Sequence, residues 1–242
     1  MIAGAAEDTN PPYWHAEVIN HERRGSDVAV FTCCPVQPLN FRAGQYVSIE
    51  CGYHPRLWRT YSIANAPRQD GTLDFHVRAA GGGLVSSALV RRLRAGDMLR
   101  LAAPMGSMTL DLQSRRDIVF VTGGTGLAPV KALLEELTRY NRTRWTHLFR
   151  GERRGDDFYD RRHLDQIAEN FPWLTIVRAV SDEGGNIGER GAISDVVSRH
   201  GPWRHHDFYI AGSATMVNAT LRRLVEMQIP STRIKYDAFT DA

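Results

Sequence analysis

The chain has 242 residues, enough for two ordinary domains that each bury a core. Hydrophobic residues make up 43% and charged residues 24%, which excludes a disordered chain, and no apolar run is long enough to span a bilayer. A net charge of +3, with no basic stripe carrying interleaved aromatics, argues against a nucleic-acid partner.

Residues 1–11 begin MIAGAAEDTN, small and polar, without the basic start and apolar core of a secretory signal. They read as a tail or linker. Residues 12–114 read as short strands separated by Gly and Pro punctuation: Tyr13–His21, Asp27–Cys34, Gln45–Cys51, Trp58–Ile63, Leu73–Val77 and Met98–Ala102. One helix, about Val85–Leu93, interrupts them after Gly81-Gly82-Gly83. This is the pattern of an antiparallel barrel or sandwich. Within it lie the three cysteines, Cys33, Cys34 and Cys51. They are too few for a four-thiolate iron–sulfur cluster and too sparse for a secreted disulfide framework. Buried thiols in a cytoplasmic protein are the expectation, and no residues show metal-ligand spacing.

The rhythm changes at residues 115–242 to strand, helix, strand, helix. Ile118-Val119-Phe120-Val121 is a continuous apolar run, as in a strand buried on both faces. Val130, Leu133, Leu134 and Leu137 then fall on one helical face. Strands are expected at His147–Phe149, Leu174–Val180 and Phe208–Ala211, with helices at Arg161–Glu169 and Met216–Met227. The class is α/β, a doubly wound parallel sheet following a β-barrel. His76 and the pair His205-His206 read as surface or strand histidines.

Two loops of this second half suit a dinucleotide. Gly123-Gly124-Thr125-Gly126-Leu127-Ala128-Pro129 joins the apolar strand to the amphipathic helix. Glycines let backbone approach a ligand, and the helix start offers unpaired N–H groups to a diphosphate. Pro129 fits the first helical turn, where its missing N–H is not needed. The loop is neither a Walker loop nor the Rossmann fingerprint. The second loop, Ala211-Gly212-Ser213-Ala214-Thr215-Met216, would lie at the same carboxyl edge.

The barrel half carries the segment Arg59-Thr60-Tyr61-Ser62. Further along come His76-Val77-Arg78, Gly82-Gly83-Leu84-Val85-Ser86, Ala95-Gly96-Asp97, Pro104-Met105-Gly106 and the two loops above. In this order the series resembles the ferredoxin–NADP reductase superfamily. Tyr13 to Val18, His21-Glu22-Arg23 and the ending Arg233 to Asp237 look most like the reductase half of actinobacterial flavohaemoglobins and flavohaemoglobin-like proteins.

The resemblance implies an FAD-containing, NAD(P)H-dependent reductase. Arg59 would hold the flavin diphosphate, since a guanidinium matches phosphate oxygens. Tyr61 and Ser62 are the candidate catalytic residues, Tyr61 against the isoalloxazine and Ser62 at flavin N5. Thr60, His76 and Val77 belong to the same cofactor-binding set. Gly82, Gly83, Val85 and Ser86 would cradle the diphosphate. Gly123, Gly124, Thr125, Gly126 and Pro129 would bind the nicotinamide dinucleotide. Gly212, Ser213 and Met216 would frame the nicotinamide, and Phe239 would lie beside the flavin.

Three departures from the family pattern stand out: Ala211 in place of a common Cys, Ser213 and Ala214 in place of prolines, and Asp237 in place of a common Glu. In the loop Arg150 to Asp157, Arg153 and Arg154 would favour NADPH; Glu152, Asp156 and Asp157 would favour NADH. The likeness tips the expectation to NADH, with NADPH possible. The expected acceptor is a haem globin, in trans or on a longer chain, or another redox protein, with an oxygenase component as the alternative. A monomer is expected.

Overall fold

The computed structural model describes residues 13–182 and 187–239. The tail read for residues 1–11 lies outside them. The first half is a nearly closed, six-stranded antiparallel barrel. Its strands are β1 (Trp14–Arg23), β2 (Val28–Pro35), β3 (Tyr46–Cys51), β4 (Arg59–Ser62), β5 (Leu73–Arg78) and β6 (Met98–Leu101), in the spatial order β4-β3-β6-β1-β2-β5. A bridge between Ile63 and Phe75 brings the two edge strands together. Helix α1 (Leu84–Arg91) packs Val85, Ala88 and Leu89 onto the barrel core.

Alternation along β5 decides what faces the rest of the molecule. Leu73, Phe75 and Val77 enter the barrel core, which leaves Asp74, His76 and Arg78 on the other face.

The second half is a parallel sheet of β7 (Asp117–Gly123), β8 (Thr146–Glu152), β9 (Leu174–Val180), β10 (Glu189–Arg190), β11 (His206–Ser213) and β12 (Ile234–Phe239). Its order is β10-β9-β8-β7-β11-β12, so the chain builds outward from β7 and then returns to its other side. Helices α2 (Leu127–Tyr140) and α3 (Arg161–Asn170) cover one face; α4 (Ile193–Arg199) and α5 (Ala214–Glu226) cover the other. In β7, Ile118 and Phe120 pack under α2, while Val119 and Val121 join the α4–α5 side. The apolar run is therefore buried on both faces.

Three elements carried no clear sequence signal. Strand β12 reads IKYDAF, with charges at Lys235 and Asp237 and no fully buried residue, because it is an edge strand. Strand β10 has two residues and α4 has seven, both below the length at which periodicity is legible. Among the described residues no helix is long and apolar enough to cross a membrane.

The halves meet through polar contacts. Arg68 bridges Glu135 at 3.1 Å and Asp74 at 2.9 Å, and Lys235 Nζ donates to the carbonyl of Thr109 at 2.7 Å. A Cβ on Gly44 would run into the carbonyl oxygen of Met108.

Candidate active site

The switch in strand order falls between β7 and β11, and the loops that follow these two strands are the two glycine loops. Ligands of open α/β sheets bind in the crevice at such a switch. Gly124–Gly126 forms one turn of 3-10 helix that runs straight into α2, and neither start has a side-chain cap. Their N–H groups are thus available to an anion. Pro129 is buried in the first turn of α2. Nothing lies within 4 Å of where a Cβ would stand on Gly124, so its outer side is open.

Beneath that surface the loops are in close contact. A Cβ on Gly126 would collide with the backbone carbonyl of Ala211. One on Gly212, which has φ +152°, would stand 2.7 Å from Met216 Cε and 3.1 Å from the Gly123 carbonyl oxygen. Met216 therefore lies across both loops. Ser213 departs from the proline pattern with a structural role: it caps α5, its Oγ accepting from the Met216 N–H at 3.3 Å. Ala211 is wholly buried in the core beside α2.

On the barrel side, Arg59 and Thr60 are exposed and Ser62 is buried. Tyr61 lies partly against the barrel core, and burial pushes its phenol up. The Arg59 guanidinium donates only to the neighbouring Trp58 carbonyl, at 2.9 Å, and has no carboxylate partner among the described residues. The Gly81–Ser86 turn is held by Ser86 Oγ, which accepts from the Ala80 N–H at 3.1 Å and donates to the Gly83 carbonyl at 3.3 Å. Gly82 sits at φ +80°, a left-handed conformation that glycine adopts at no steric cost. Added Cβ atoms on Gly81 and Gly82 would meet nothing within 4 Å. Helix α1 begins there without a side-chain cap. An unpaired guanidinium, an open glycine turn and an uncapped helix start are each features that suit a diphosphate.

Two of the histidines read as surface or strand residues do lie in strands, and both are more enclosed than a surface position would be. His76 lies in a strand but not at the surface: it is fully enclosed, with Nδ1 sharing a hydrogen bond of 2.8 Å with Tyr159 Oη. Its side chain is thus engaged with Tyr159, and the Val77 side chain is likewise spent in the core. His206 is half-buried against Trp203, their ring centroids 4.9 Å apart, because β11 starts beneath α4. Glu152, read as favouring NADH, is also buried; it pairs with Arg150 and lies 3.8 Å from Arg78.

One contact had no reading in the sequence. Ser62 Oγ donates to Asp237 Oδ2 at 3.4 Å, across 175 residues. Burial pushes the Asp237 carboxyl above its usual pKa, and the Ser62 hydrogen bond partly offsets this. The acid was visible in the sequence as a departure at that position; its meeting with Ser62 required β12 to be seen as a strand. Phe239 ends the same strand, level with Ser213.

Residues 15–110 match the oxidoreductase FAD-binding domain, and residues 120–222 match the oxidoreductase NAD-binding domain. The chain is 32% identical over 231 residues to the electron transfer component of a xylene/toluene monooxygenase from Pseudomonas putida, covering 93% of this chain and 65% of that one. It superposes on a cytochrome P450 reductase from Amycolatopsis with a TM-score of 0.88 and 30% identity, over 99% of this chain and 73% of the other. The chain belongs to the ferredoxin–NADP reductase superfamily.

As a member of that superfamily it is an FAD- and NAD-binding oxidoreductase. The FAD/NAD-binding domain of a Vibrio cholerae nitric oxide dioxygenase also superposes, with a TM-score of 0.85 over 95% of this chain and 99% of that domain. Its 22% identity shows the shared fold alone. The flavohaemoglobin branch is thus not the one the sequence similarity favours. The chain spans just under two thirds of the monooxygenase component.

Proposed function

We propose that the chain oxidises NADH and passes the electrons through FAD to a separate protein acceptor, as the electron supplier of an oxygenase system. The observation that carries this reading is the similarity, at 30% and 32% identity, to a cytochrome P450 reductase and to a monooxygenase electron transfer component. When bound, FAD accepts two electrons as hydride and releases them one at a time.

The chain supplies binding and orientation. Arg59 and the Gly81–Ser86 turn hold the FAD diphosphate, and Tyr61 packs against the ring. Ser62, held by Asp237, presents its hydroxyl at the reacting edge. The loops at Gly123–Pro129 and Gly212–Met216 take the nicotinamide half of the dinucleotide. The division into residues 12–114 and 115–242 follows these roles.

NADH is favoured over NADPH. Asp156, Asp157 and Asp182 stand beyond the ends of β8 and β9, where a 2′-phosphate would bring further negative charge. Arg154 is engaged with Asp157 at 3.9 Å.

The test is rapid mixing of the purified, flavin-loaded protein with NADH or NADPH, followed by a two-iron ferredoxin, an oxygenase component or a haem globin at equal concentration. NADH is expected to give the higher kcat/KM, and an iron–sulfur or oxygenase acceptor the faster reoxidation. Faster reduction of globin haem would replace the oxygenase reading with the flavohaemoglobin one.

A further inference from the structure

Five residues form a closed polar circuit between the barrel and the parallel sheet. His76 Nδ1 shares its 2.8 Å hydrogen bond with Tyr159 Oη, and the two rings meet edge to face at 5.5 Å. The Arg150 guanidinium lies 5.6 Å from the centre of the Tyr159 ring and pairs with Glu152. Glu152 then reaches back to Arg78 at 3.8 Å. His76 and Arg78 lie two apart on β5, hence on one face of one strand. Arg150, Glu152 and Tyr159 belong to β8 and the segment that follows it.

Two attachments on one strand face resist rotation as well as separation. The sheet end of the circuit is buried, Arg150 being only 1% exposed, while the Arg78 side chain is 35% exposed. Burial, with Lys131, Arg150, Arg24 and His163 nearby, holds the His76 imidazole well below its usual pKa, and burial pushes the Tyr159 phenol up. The tie therefore joins two neutral groups.

Each end lies beside a nucleotide loop. Two residues separate the end of strand β5 from the Gly81–Ser86 turn, and Tyr159 lies two residues after the Gly155–Asp157 turn at the rim of the sheet. We propose that the His76–Tyr159 bond positions the nicotinamide half of the molecule against the flavin half, and that Tyr159 is a positioning residue for electron transfer between them. Small misplacements of bound reactants cost large factors in rate, about 100-fold for 1 Å.

This inference rests on NADH reducing the flavin and not on the identity of the acceptor. Tyr159→Phe keeps the ring beneath Arg150 and removes only the hydroxyl. At saturating NADH the limiting rate of flavin reduction is expected to fall about tenfold, with NADH affinity and FAD content unchanged. His76→Leu is expected to match it, the double variant to be no slower than either, and His76→Asn, which keeps a polar atom near the place of Nδ1, to recover most of the rate.

Amide hydrogen exchange of the FAD-free protein gives the second readout. In Tyr159→Phe, residues 79–86 and 153–158 are expected to exchange faster together, while β7 is unchanged. The proposal stands only if the rate falls and both segments loosen. Should Tyr159→Phe fail to fold or to hold FAD, the His76→Leu and His76→Asn pair decides, and equal rates or equal exchange in the two would overturn the tie. Wild-type protein that NADH does not reduce would instead overturn the NADH reading.

Discussion

Glycine clusters occur on both sides of the site, and they are there for opposite reasons. Around Gly81 and Gly82 an added Cβ meets nothing, so the room is left for something other than protein. At Gly126 and Gly212 the room is already filled by the backbone of the neighbouring loop and by Met216. The first cluster is open to a ligand. The second fastens β7 to β11, and the ligand surface is the outer side of the fastened loops. A glycine-rich segment in a sequence does not reveal which of these it is; the neighbours decide.

Gly126→Ala should break the comparison most severely. Its Cβ faces a backbone carbonyl that cannot rotate away, so the penalty should reach about 3 kcal/mol, the upper end for overpacking. Thermal unfolding and NADH titration should show a weakened sheet half in a protein that still retains FAD. Normal stability would mean that the two loops are not packed as described.

Arg59→Ala acts on the open side. Loss of a charge-assisted partner of the diphosphate costs on the order of 1.5–3 kcal/mol, hence at least a tenfold weaker Kd for FAD by fluorescence titration. The apoprotein Tm should not move, because Arg59 is exposed and bonds only to its neighbour's carbonyl. Unchanged affinity would displace the diphosphate from this turn. Gly82→Ala should be milder, about 1 kcal/mol for a side chain at positive φ in otherwise empty space. Its effect should appear in FAD affinity and leave the NADH-binding half intact, the reverse of Gly126→Ala.

The smallest effect concerns Asp237. Its folded-state pKa is raised by burial, so the native state holds the proton more tightly than the unfolded chain. Stability from this group is therefore lost as pH rises from the ordinary carboxylate range through the folded pKa. Asp237→Asn, which cannot ionise, should gain Tm relative to wild type above that window and little below it. A difference that does not change with pH would remove burial as the cause.

Much of this architecture was legible in the sequence. The apolar run at Ile118–Val121 announced a doubly covered strand, and the glycine loops announced its edge. What escaped was everything that depends on distant partners. Strand β12 buries no residue fully because it lies at the sheet edge, so Asp237 could be noticed only as an unusual residue. His76 read as ordinary because Tyr159, 83 residues away, leaves no local trace. Glu152 read as an acid that would favour NADH; only Arg150 and Arg78 together make its burial tolerable.

The hydrogen bond from Ser62 to Asp237 also bears on the order of folding. Contacts this far apart form late, since chain entropy must be spent before they repay it. Strand β4 can be in place long before β12 docks. During refolding with FAD present, quenching of flavin fluorescence should come first, and bleaching by NADH should lag behind it. Until the sheet edge is complete, the protein would hold its flavin in the dark, unable to draw electrons from the nicotinamide pool.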